Sequence, residues 1–178
     1  MKKHDLLVRV LFAVSLTAIS VVIDVFFKFV LNISNFGLPF YAIPLVIGSM
    51  MLGPIFGGAM ALIADGLGVL MSGYVYLPLF TIAALAWGII PGLIIRKKYN
   101  VAKLSIAVLI SYLMASLANS FALYFYYGAG TTFLTLVLRL SLLPLNSVII
   151  VMITKDLYKR LEVIVPKHLM LQLMNNTQ

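Results

Sequence analysis

An all-α integral membrane bundle of six transmembrane helices is the fold class this sequence predicts, and three observations carry it. Of 178 residues, 63% are hydrophobic and 10% charged, against about 25% charged in soluble domains. That much apolar surface exceeds what one core of this length buries, so the surplus faces lipid, where helices satisfy their own backbone. Apolar stretches separated by turn residues recur along the chain. Basic residues collect in three places that a six-span chain puts on one side of the membrane.

The elements follow in order. The first span runs from about Leu6 to Val30. It is too long for a signal-peptide core and no small-residue cleavage site follows it, so it stays as a span. A short second span, about Tyr41 to Leu52, ends at the turn signal Gly53-Pro54. The third, about Phe56 to Ser72, is rich in glycine and alanine, and the fourth, about Leu77 to Ile95, ends at Arg96-Lys97-Lys98. The fifth runs from about Ala102 to Tyr127 and is broken by Gly128-Ala129-Gly130. The sixth starts near Thr132 and continues to about Tyr158. Residues 1–165 form the membrane domain, and 166–178 a polar cytoplasmic tail beginning at Pro166.

Orientation follows from charge. Lys2, Lys3 and Arg9 precede span one. Arg96, Lys97, Lys98 and Lys103 separate spans four and five, and Lys155, Lys159, Arg160 and Lys167 follow span six. Six spans bring all three groups, and both termini, to the cytoplasmic side. The opposite loops, Asn32 to Phe40, Gly73 to Tyr76 and Gly128 to Thr131, carry no charge. This distribution accounts for the net charge of +8 as a topology signal, not as a groove that tracks nucleic-acid phosphates. The absence of cysteine excludes thiolate metal sites, and His4 and His168 lie in the polar ends, far from forming a metal cluster. No GxxxxGK[ST], HExxH or GxSxG motif occurs, which argues against an ATPase or an enzyme. No inverted repeat of the kind secondary transporters use is visible.

Ionisable residues within apolar spans mark function or a structural pair. Asp24 and Lys28 share one face of span one, four residues apart, and read either as a self-paired couple near the interface or as part of an external pocket. Asp65, mid-way along span three, needs a donor such as Arg139, a hydroxyl, a ligand or a proton of its own. Arg139 lies about two turns inside span six, and its planar fork suits a carboxylate. Trp87, Asn119 and Asn146 sit at similar depth and read either as ligand contacts or as interhelical hydrogen-bonding groups. Asn32, Asn35, Gly37, Pro39, Tyr41, Tyr74, Tyr76 and Pro78 populate the uncharged loops, where tyrosine is also a common belt residue.

Three local patterns then carry a resemblance. The first is Ile43-Pro44-Leu45 through Met51-Leu52-Gly53-Pro54, followed by Gly57-Gly58 and Ala64-Asp65. The second is Tyr76-Leu77-Pro78-Leu79-Phe80-Thr81, leading to Ala83-Ala84 and Trp87-Gly88. The third is Arg139 followed by Pro144 and Asn146. With the six-span layout, over about Leu6 to Leu161, the chain resembles the substrate-binding S component of an energy-coupling factor (ECF) vitamin transporter, most like the folate-type branch. The resemblance implies no cofactor and no catalysis. It implies a vitamin captured from outside, and uptake driven by a transmembrane coupling subunit and two ATPase subunits in a bacterial cell membrane. It also implies substrate contacts from Arg139 and Lys28 to a carboxylate, from Tyr41, Tyr74, Tyr76, Phe80 and Trp87 to a ring, and from Asn119 and Asn146 to a polar edge, with Asp65 among the substrate-binding residues. A small-residue face of span one, at Ala13 and Thr17, would meet the coupling subunit. The folate branch carries an arginine near the outer part of span one where this chain has Asp24 and Lys28, so pantothenate or a thiamin precursor stand as alternative ligands. Two readings of other classes also stand: a ligand-free structural subunit, whose polar residues would pair with one another, and an autonomous ion-coupled transporter.

Overall fold

The computed structural model describes residues 3–29, 39–95 and 99–164. Lys2, Asn32, Asn35, Gly37, Arg96, Lys97, Lys98, Pro166, Lys167 and the tail they were assigned to or flank lie outside the described residues. Six helices follow one another: α1 (Lys3–Phe29), α2 (Ala42–Leu52), α3 (Pro54–Met71), α4 (Pro78–Ile94), α5 (Val101–Tyr127) and α6 (Ala129–Ile164). No strand occurs among the described residues.

Four apolar stretches are long enough to cross a membrane: Leu6–Lys28, Pro54–Met71, Val101–Tyr127 and Thr132–Leu161. Their outward side chains are mostly apolar, including Val14 and Val22 on α1, Phe121 and Phe125 on α5, and Phe133 and Met152 on α6. A surface of this kind belongs in hydrocarbon. The shorter helices differ. At 17 residues, α4 reaches about 26 Å, close to the ~30 Å core. At 11 residues, α2 reaches only about 16 Å, about half of the hydrocarbon core. Every residue of α2 is buried, as expected for a core helix of this size. It packs against α1, α3, α4 and α6, while α3, α4, α5 and α6 pack in chain order around it and α1 leans on α3. The outermost helices, α1 and α6, are not among the closely packed pairs.

Short connections set this geometry. Gly53 alone separates α2 from α3, with φ 92° and ψ 171°, a region open only to glycine. Pro54 then starts α3 at a position where its missing N–H costs nothing. The turn between α5 and α6 is likewise Gly128 alone, φ 83°, so Ala129 and Gly130 join α6 instead of breaking the chain. Where α3 crosses α4, a Cβ on Gly57 would overlap the Gly88 carbonyl and one on Gly88 would overlap Gly57, and the two backbones touch. Ser49 of α2 ties in the third partner, its Oγ accepting from the Gly92 N–H of α4 at 2.8 Å. Arg9, counted with the flanking basic residues, is instead 3% exposed within α1.

Candidate functional site

A cavity of about 680 Å³ occupies the end of the bundle that holds the second half of α1, the connection from α3 to α4, and the start of α6. Its walls are mostly apolar, with polar groups at few points. This is the usual make-up of a small-molecule site, and the size lies within the usual range. The described basic residues Lys103, Lys155, Lys159 and Arg160 belong to the start of α5 and the later part of α6, away from this end.

One wall carries acids. Lys28 donates to Asp24 Oδ2 across one turn of α1, with both side chains largely shielded. The carboxylate fits because α3 presents Gly68 there: a Cβ at that position would collide with Asp24 Oδ2. Asp65, one turn before Gly68, accepts a hydrogen bond from Thr81 Oγ1 of α4 at 2.7 Å. Thr81 Oγ1 in turn lies 2.7 Å from Tyr76 Oη. A threonine hydroxyl has one proton. With that proton on the carboxylate, Tyr76 must be the donor to Thr81.

The facing wall carries Arg139, whose Nε and Nη1 are buried and have no hydrogen-bond partner. The backbone beneath it is held by Tyr112 of α5, which donates from Oη to the Arg139 carbonyl at 3.2 Å. Asn146 Nδ2 donates to the same Tyr112 oxygen at 2.9 Å, and Trp87 meets the Tyr112 ring edge-on at 6.0 Å. Tyr41, at the start of α2, is fixed from behind by Ser20, which donates to its carbonyl at 2.7 Å. Tyr41 lines the same cavity as Asp24, Asp65 and Arg139.

Of the residues singled out in the sequence, Lys28, Tyr41, Asp65, Tyr74, Phe80, Trp87, Asn119 and Arg139 line this one cavity. Tyr76 and Asn146 do not. Tyr76 stands behind Asp65 through Thr81, and Asn146, 1% exposed, stands behind Tyr112. The two therefore hold the wall from outside instead of meeting a ring or a polar edge directly. Ala13 and Thr17 are buried on the inner side of α1, at 8% and 6% exposure, and Thr17 Oγ1 donates to the Ala13 carbonyl. In this conformation they are turned into the chain's own bundle and not toward a partner. Asp65 and Arg139 do not pair with each other: the Asp24–Lys28 couple is the salt bridge found among the described residues. Sequence reading missed Tyr112, since a tyrosine inside an apolar helix looks like packing until its partners are known.

Comparison with curated proteins and with solved structures gave no match. The profile of one family, described as "ECF transporter, substrate-specific component", matches residues 10–168, nearly the whole chain. Members of that family are transporter subunits and not enzymes; they bind a small-molecule substrate and work with the membrane and ATPase subunits of the transporter. With its apolar helices and the cavity they enclose, this chain belongs to that family and is a multi-pass, substrate-specific membrane subunit of an ECF transporter.

Proposed function

We propose that this subunit captures a carboxylate-bearing vitamin, folate in the first place, from outside a bacterial cell and presents it to a transmembrane coupling subunit and two ATPases. The observation that carries this reading is the unpartnered guanidinium of Arg139 on the cavity wall. A buried cation without an acceptor is costly, and a carboxylate matches its fork in two parallel hydrogen bonds. A ligand-free structural subunit would be expected to pair Arg139 with Asp65; Asp65 accepts from Thr81 instead.

In this reading Arg139 anchors the carboxylate, and Lys28, already beside Asp24, replaces the arginine that the folate branch carries in its first span. Tyr41, Phe80 and Trp87 enclose a flat ring, Tyr74 stands at the mouth, and Asn119 offers an amide. Pantothenate, which also carries a carboxylate, is the second choice of ligand. The basic residues at the opposite end support a cytoplasmic position for both termini, and so an outward-facing mouth.

Calorimetry on the purified chain in detergent tests the reading, with folate, pantothenate, thiamin, riboflavin, biotin, pyridoxine and hydroxymethylpyrimidine as titrants. One tight ligand bearing a carboxylate is the expected result. Tight binding confined to an uncharged or cationic vitamin would remove Arg139 as the anchor.

A further inference from the structure

We propose that Asp65 is a second anchor, an acceptor for the N–H edge of the ligand, so that the cavity selects a molecule with a carboxylate at one end and adjacent ring N–H and amino donors at the other. The inference rests on the reading of Arg139 as the carboxylate anchor and adds the opposite pole.

Four charged side chains line the cavity, two acids and two bases. Asp24 and Lys28 neutralise each other. The remaining two, Asp65 and Arg139, come from different helices and do not pair among the described residues. In a mostly apolar cavity each needs a partner of its own. A simple anion satisfies Arg139 and leaves Asp65 facing an empty space. A molecule carrying both a carboxylate and a donor edge gives each of the two a hydrogen-bonding partner.

The hydrogen-bond chain behind Asp65 supports this assignment. Tyr76 donates to Thr81, and Thr81 donates to Asp65 Oδ2. With Asp65 ionised and acceptor-only, both protons of this chain point toward the carboxylate. Oδ1 has no hydrogen bond among the described residues. A carboxylate has about four lone-pair sites, and the chain occupies one. The side facing the cavity is left to accept two parallel N–H bonds, the geometry a carboxylate offers to a planar donor pair. A planar ring reaching it would have Tyr41, Phe80 and Trp87 among its neighbours.

The first test needs no variant. The purified full chain is titrated with folate and with its 2-oxo analogue, in which the donor amino group becomes an acceptor of the same shape. Folate is expected to bind at least about tenfold more tightly, the scale of a hydrogen bond to a charged group; equal affinities would overturn the inference. Pantothenate, nicotinate, lipoate and thiamin complete the panel. Tight binding of pantothenate, nicotinate or lipoate, which lack such an edge, overturns the Asp65 assignment and leaves the Arg139 reading in place. Tight binding of thiamin alone, or of nothing, overturns both. In the folate-binding protein, Asp65→Asn is expected to lose the preference for folate over the 2-oxo analogue. Thr81→Val is expected to weaken the preference without abolishing it. Arg139→Ala is expected to weaken both ligands together. A variant at position 65 that keeps the full preference and its thermal stability sinks the proposal.

Discussion

At Arg139 one side chain joins fold and function. Its carbonyl is held by Tyr112, and its guanidinium Nε and Nη1 find no hydrogen-bond partner among the described residues. Arg139→Ala is therefore expected to weaken the vitamin by at least ~1.5 kcal/mol, read by calorimetry, with little loss of thermal stability. Arg139→Lys keeps the charge but not the fork, and should recover only part of that affinity. Tyr112→Phe acts differently. It removes the donor to the Arg139 carbonyl and the acceptor of Asn146 Nδ2, leaving a buried amide short of a partner. The expected cost is about 1–3 kcal/mol of stability, seen as a lowered melting temperature in detergent. These residues were unequally legible in the sequence. Asp65, Lys28 and Arg139 stand out because charge is rare within apolar runs. Asn146 and Tyr76 were read with the ligand contacts and lie outside the cavity lining, because a one-dimensional pattern does not give which neighbour lies between a side chain and the cavity. Gly68 gave no sign of its use: that it makes room for the Asp24 carboxylate depends on how α1 lies against α3.

At the scale of helices, glycine decides how closely they approach. Gly53 turns α2 into α3 in a single residue, and Gly53→Ala should cost about 1–3 kcal/mol through backbone strain, measurable by thermal denaturation of the purified protein. Gly57→Leu, at the crossing of α3 and α4, should be worse, because the side chain would enter the backbone of α4. Loss of a monodisperse peak in size-exclusion chromatography is the expected outcome, whereas a well-folded variant would mean the two helices can separate there. The helices themselves were legible from the sequence, with bounds close to those observed, because long apolar runs and glycine–proline punctuation are local signals. The status of α2 was less so. Its run of apolar residues is too short to cross alone, and whether such a segment meets lipid or protein is settled by its neighbours.

At the scale of the whole molecule, the chain has a site but no P-loop or visible inverted repeat to drive transport. Liposomes containing this chain alone should bind the vitamin and accumulate none, with or without an ion gradient. Uptake is expected only when the coupling subunit, both ATPases and ATP are supplied. Accumulation by the lone chain would make it an autonomous carrier. The family was legible in the sequence from the order and spacing of weak motifs over most of the chain. The ligand was not, because its identity depends on which charges the helices leave unpaired, and that follows only once α1, α3 and α6 stand around one cavity.

The complete burial of α2 also bears on how the protein is made. Eleven residues are too few to anchor themselves in a ~30 Å hydrocarbon layer. Joined to α3 by one glycine, the segment would leave the insertion machinery as half of a helical hairpin. Two of the helices that cover it, α4 and α6, are synthesised later. Its lodging therefore waits on the C-terminal half of the chain, and nascent chains stalled before α6 would hold an unfinished centre.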